Sequence, residues 1–122
     1  MIDLGGYDGQ WTSDLFSRYL SEVHVFEAVP AFAEKISRRF AANSKIRVYP
    51  YAVGRNSRAD RMSLCGVGSS LFTGSGLNKD VAVRVEDAGR LFRLCNISHC
   101  DLLKINIEGA NMKFCLVSSR QA

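Results

Sequence analysis

Metal-clasp spacing is missing from this sequence. Its four cysteines stand at 65, 95, 100 and 115, with no Cys-x-x-Cys pair and no zinc-ligand interval to either histidine. That pattern points to free thiols in a reducing compartment rather than to a zinc site or a disulfide framework. Long hydrophobic runs are missing too: nothing approaches the ~18 apolar residues that a membrane span needs. No leader is expected ahead of the fold, because Asp3 already stands in the first strand. Internal repeats, low-complexity tracts and linkers rich in Pro, Gly or Ser are absent, so residues 1–122 read as a single domain. A concentrated basic patch is also lacking. The net charge is +4, but the 16 Lys and Arg are scattered, with 37–40 and 55–61 the densest spots. These read as solvated faces rather than a nucleic-acid surface. The chain is expected to be soluble and cytoplasmic, with neither nucleic acid nor membrane as partner.

What is present is an alternation of strands and helices. At 47% apolar residues the chain can bury a real core. MIDL (1–4) is a short apolar strand running into glycines. WTSDLFSRYL (11–20) places Leu15, Phe16, Tyr19 and Leu20 on one side at helical spacing. VHVFE (23–27) is a β-branched strand. Pro30 opens a helix in which Phe32, Ile36 and Phe40 recur every four residues. KIRVYPYAV (45–53) reads as a third strand, with Pro50 ending its regular pairing. The Gly- and Ser-rich section 54–80 predicts a hairpin, with 61–65 as one arm and 70–72 beginning its return. VAVRV (81–85) is a further short strand, 86–94 a short helix, and DLLKINI (101–107) a central parallel strand. A last helix is expected to start in 108–117.

This alternation predicts an α/β fold, a Rossmann-like parallel sheet with helices on both faces and an inserted β-hairpin. In such sheets ligands sit beyond the carboxyl ends of the strands. Candidate residues therefore fall at 4–9, 27–28, 52–54 and 106–109. His24 lies inside a strand and His99 at the wrong end of the sheet, so both read as structural or surface residues.

Glycines 5, 6 and 9 let the backbone turn tightly and approach a ligand. Glu27 closes the next strand about 20 residues on, where an acidic side chain can hold a ribose diol. Together they favour adenosine binding. Leu4 breaks the dinucleotide Gly-x-Gly-x-x-Gly pattern, and Asp8 would repel a pyrophosphate at the helix N-terminus. Asp3, Asp8, Glu27 and Glu108 suit a cation, and so favour S-adenosylmethionine.

These segments resemble the FkbM-like family of class I S-adenosylmethionine-dependent methyltransferases. IDLGGYDGQWT looks like the family's DxGANxGxxT turn, VHVFEAVP like VxxFEPxP, YAVG (51–54) like its ALG segment, and GSSLF (68–72) like its Ser-Ser element. DLLKINIEGAN (101–111) is similar to DLLKIDVEGAE. The resemblance implies that Asp3, Gly5, Gly6, Tyr7 and Gly9 surround the methionine half of the cofactor. By the same resemblance Glu27 holds the ribose with Ala28 beside it, and Ala52 and Val53 lie near the adenine. Asn106 and Glu108 face the sulfonium and the acceptor, and form the catalytic pair. No metal is implied.

Against the family pattern, Gly6 and Tyr7 stand where Ala and Asn are usual, Asn106 replaces Asp, Asn111 replaces Glu, and Val29 shifts the Pro. The complete class I sheet has seven strands, so an incomplete domain is expected. The implied activity is O-methylation of a hydroxyl on a small molecule or sugar, with Glu108 the better base because Asn106 cannot accept a proton. The bland reading of both residues is cofactor holding or helix capping. Two other functional readings stand beside this one: a non-catalytic remnant that self-associates through an exposed sheet edge, and a NAD-type oxidoreductase.

Overall fold

Two residues after the first strand ends, the chain is already turning back over the sheet, and the whole site is built around that reversal. The structure, a computed structural model, describes residues 1–64 and 79–106. Its first seven elements are β1 (Ile2–Leu4), α1 (Gln10–Tyr19), β2 (Val23–Phe26), α2 (Pro30–Arg39), β3 (Ile46–Tyr49), β4 (Ala52–Gly54) and β5 (Arg58–Leu64). The last three are β6 (Lys79–Asp87), α3 (Ala88–Leu94) and β7 (Leu103–Ile105). A parallel sheet in the order β3-β2-β1-β7 carries helices on both faces, an α/β, Rossmann-like arrangement.

Strand alternation sorts the side chains. Val23 and Val25 of β2 and Ile46 and Val48 of β3 point to one face. There they meet Phe16 of α1, Ile36 of α2 and Phe40 just beyond it. Ile2, Leu4 and Phe26 point to the other face, against Val53, Leu91 and Phe92. Val25, Phe26 and Ile36 are all but completely buried, and each such side chain contributes roughly 1.5–3 kcal/mol of transfer free energy. Pro30 occupies the first turn of α2, where its missing N–H costs nothing.

The third strand proved to be two. β3 ends at Tyr49, and past Pro50 the chain leaves the first sheet for a second one, in the order β4-β6-β5. Proline cannot donate to a ladder, so pairing stops there. The hairpin is real but longer and shifted. Its arms are Arg58–Leu64 and Lys79–Asp87, so 81–85 belongs to its return arm rather than forming a separate strand. The same β6 pairs parallel with β4 through Ala52–Val85. A return beginning at 70–72, the Ser-Ser element and the helix expected in 108–117 lie outside the described residues.

The strand expected to be central, β7, has a neighbour on one side only among the described residues: it pairs with β1, and Leu102, Leu103 and Ile105 are 37–41% exposed. Its apolar sequence suggested a strand covered on both faces. Both histidines are structural or surface residues, as read. His24 is buried, with Nδ1 3.0 Å from the Tyr49 hydroxyl, and burial pushes its pKa down. His99 is exposed beside Asp101. Cys95 and Cys100 are free thiols. Among the described residues no helix is long and apolar enough to cross a membrane, and no three His, Cys, Asp or Glu cluster as metal ligands.

Candidate functional site at the carboxyl ends of the first sheet

Strand β1 is followed by β2 on one side and flanked by β7 on the other, so the order of strands reverses beside it. That is where an open α/β sheet places its ligand. The turn leaving β1 is pinned from both sides: the Gly5 N–H donates to the Phe26 carbonyl (2.8 Å), and the Asn106 N–H donates to the Leu4 carbonyl (2.9 Å). Gly5 has φ +88°, and a Cβ there would overlap the Asn106 carbonyl oxygen. Glycine is therefore required on both counts. At Gly6 the constraint is space: a Cβ would run into the Val25 side chain, with Ile36 Cδ1 3.0 Å away. This accounts for glycine where the resembling family usually has alanine.

Tyr7 follows with φ 52°, a left-handed conformation that Asn adopts more readily than Tyr. Its ring is 39% exposed and packs edge-on against Phe32, centroids 5.1 Å apart. The turn closes with the Gly9 N–H donating to the Gly6 carbonyl (2.8 Å). Gly9, φ +83°, is the residue before α1, and Asp8 Oδ1 accepts the Gln10 N–H at 2.9 Å.

Glu27 stands at the end of β2, only 6% exposed. One carboxylate oxygen accepts the Tyr7 N–H and the other accepts the Val29 N–H, each at 2.9 Å. These two bonds tie the glycine turn to the start of α2 through one carboxylate. Burial pushes the Glu27 pKa above the ordinary value; the backbone N–H groups of Val29 and Tyr7 oppose that rise, and the nearby Asp3 charge adds to it. A carboxylate offers roughly four acceptor positions, so acceptor capacity remains beyond the bonds to Tyr7 and Val29.

Asp3 is placed differently from the sequence expectation. It is fully buried, one oxygen accepting from the Thr12 hydroxyl (2.7 Å) and the other 3.0 Å from Lys104 Nζ. Its carboxylate is thus paired inside the protein and its side chain is engaged below the turn. Ala28, Ala52 and Val53 are buried too. Ala28 and Ala52 sit in one cluster with Val29, Phe32, Met62, Val83 and Val85, and Val53 in another with Ile2, Leu4, Phe26 and Leu91. Gly5, Gly6, Tyr7, Gly9, Glu27 and Asn106 come together around the end of β1. Glu108 lies outside the described residues.

Lys104, Thr12 and Trp11 were not anticipated. Lys104 Nζ also donates to the Gly5 carbonyl (3.1 Å) and lies 5.2 Å from the centre of the Trp11 ring. The signal was legible: a lone cation inside the apolar run DLLKINI needs a partner, and the register pairs Lys104 with Asp3.

No curated protein and no solved structure matches the chain. A family model described as methyltransferase FkbM domain matches residues 3–119, nearly the whole sequence. That span runs from the buried Asp3 through the glycine turn, Glu27 and the β7 segment. The chain belongs to the FkbM methyltransferase domain family.

Proposed function

We propose that the chain transfers a methyl group from S-adenosylmethionine to a hydroxyl oxygen of a small molecule or sugar. The observation that carries the cofactor part is Glu27: a buried carboxylate at the end of β2, anchored by two backbone N–H groups, with acceptor positions to spare. That acceptor set fits a ribose diol, and the two hydrogen bonds it would accept are charge-assisted. The turn at Gly5–Gly9 gives the backbone close access to the rest of the cofactor. With Asp3 paired to Lys104, the preference of the site for a cation rests on Glu27 and Asp8 among the described residues. The hydroxyl class of acceptor follows from the family resemblance.

When bound, S-adenosylmethionine would supply an activated methyl carbon, whose carbon–sulfur electron pair would leave on sulfur as the acceptor oxygen takes the methyl group. The protein's part is alignment and removal of one proton. Glu108 takes the hydroxyl proton onto its carboxylate. Asn106, at the end of β7, orients the acceptor through its side-chain amide and accepts no proton. The test is incubation with methyl-labelled cofactor and a panel of hydroxyl compounds. Label in an ether product is expected, with turnover in Glu108→Gln lower by about 10²-fold or more, the usual scale of general base catalysis. Unchanged turnover would remove Glu108 as base, and label on nitrogen or carbon would replace the hydroxyl assignment.

A further inference from the structure

Among the described residues Lys104 is the lysine drawn into the protein beneath the glycine turn, and nothing in the reaction outlined above uses it. Its side chain is 19% exposed and faces a carboxylate that is completely buried. Three groups surround the ammonium: Asp3 Oδ1 at 3.0 Å, the Gly5 carbonyl oxygen at 3.1 Å, and the face of Trp11 at 5.2 Å. Asp3 is in turn fixed by Thr12 of α1 at 2.7 Å. One cation therefore joins β7, β1, the turn and the first helix.

We infer that Lys104 is a positioning residue: it holds the Gly5 carbonyl, and with it the cofactor-binding turn, in register with Glu27 and Asn106. The reasoning is geometric. A peptide unit is planar, so fixing the Gly5 carbonyl fixes the plane shared with Gly6. Two residues further on, the Tyr7 N–H must reach Glu27, and the Gly9 N–H must reach the Gly6 carbonyl. Glycine on both sides of that plane leaves the turn with wide conformational freedom of its own. A charged donor from the neighbouring strand removes it. Asp3 keeps the ammonium aimed, and Trp11 covers it. Asp3 acts on the turn through Lys104 and not by touching the cofactor.

The cofactor part of this inference rests on the methyltransferase reading; the part about the turn does not. Lys104→Met alone would leave a buried carboxylate without its partner, and such a variant can fail to fold. The Asp3→Asn/Lys104→Met double variant removes both charges together. Amide hydrogen exchange is followed on the intact chain, wild type and double variant, without ligand. Protection at Tyr7 and Gly9 is expected to fall at least tenfold, while Ala33 and Phe40 in the α2 region change less than threefold. Equal changes at the turn and at α2, or no change at the turn, would overturn the inference.

A second arm titrates S-adenosylhomocysteine into the same proteins. At least tenfold weaker binding by the folded double variant supports the positioning role. Recovery of at least half of that loss, on a logarithmic scale, by Lys104→Arg supports it further; an Arg variant no better than the double variant counts against it. Equal affinity in wild type and double variant overturns it. Absence of binding to wild type contradicts the methyltransferase reading instead, and the exchange arm still decides whether Lys104 orders the turn.

Discussion

Gly5 and Asn106 meet backbone to backbone: there is no room for a Cβ on Gly5 because the Asn106 carbonyl oxygen occupies that space. The contact closes the carboxyl end of β1 against the end of β7, so the turn and the residue proposed to orient the acceptor share one wall. Gly5→Ala adds a methyl group to this contact at φ +88°. The left-handed backbone costs about 1–2 kcal/mol and the overlap a further ~1–3 kcal/mol. We expect a loss of about 2–5 kcal/mol in chemical denaturation, together with weaker cofactor binding.

Gly89 provides the contrast. It lies within α3, and a Cβ there would meet only the Arg93 guanidinium and the Asp87 carboxylate at 3.4 Å. Both are at ordinary van der Waals distance, so neither has to move. Gly89→Ala should therefore stabilise the protein by about 0.4–1 kcal/mol, through lower entropy of the unfolded chain. The same denaturation experiment measures it.

His24 sets one part of the acid response. Burial holds its folded pKa below the ordinary 6.5, with the N-terminal ammonium and Arg47 contributing in the same direction. Between the folded value and 6.5 the unfolded chain binds a proton that the folded chain refuses. The stability this residue contributes is present above pH 6.5 and is lost as pH falls. Comparing the Tm of wild type and His24→Gln at pH 7.5 and pH 5 isolates the effect: the wild type should lose more on acidification.

Glu27 works with the opposite sign. Its folded pKa is raised above 4.5, chiefly by burial. Between 4.5 and the raised value the folded chain holds a proton that the unfolded chain has released, so this residue takes stability away as pH rises through that window. Binding runs the other way, because the ionised carboxylate is the stronger acceptor for a diol. Affinity for S-adenosylhomocysteine should begin to fall at a pH above 4.5 as the solution is acidified, a dependence that Glu27→Gln lacks.

Much of this was legible in the sequence. Periodicity located α1 and α2, and apolar runs located the first two strands, which are buried on both faces; of the side read for α1, Tyr19 and Leu20 are exposed. The glycine turn and Glu27 were found by spacing. What spacing could not carry was pairing. Pro50 marked an end to regular pairing, but the step of the chain into a second sheet depends on β6, whose paired residues on β5 and β4 lie 15 to 33 positions earlier. DLLKINI read as central because its residues are apolar, yet the neighbours of a strand are tertiary facts. Asp3 was assigned to the ligand because a carboxylate beside a glycine turn is an obvious candidate. Its partner stands 101 residues later, and only the register of β1 on β7 brings the two together. Ala52 and Val53 entered through the family resemblance, and their burial in two core clusters belongs to the packing between the sheets.

The central claim is that Glu27 and the turn from Gly5 to Gly9 hold S-adenosylmethionine. Calorimetric titration of the 122-residue chain with S-adenosylhomocysteine tests it most directly, run beside Glu27→Gln. The variant presents an amide N–H₂ where one of the Tyr7 and Val29 N–H groups needs an acceptor, and it lacks the charge that strengthens bonds to a diol. Loss of one charge-assisted bond is worth about 1.5–3 kcal/mol, or roughly ten- to a hundred-fold in affinity. The account predicts micromolar binding to the wild type and at least tenfold weaker binding to the variant. No heat of binding to the folded wild type, or equal affinity in both proteins, would contradict it.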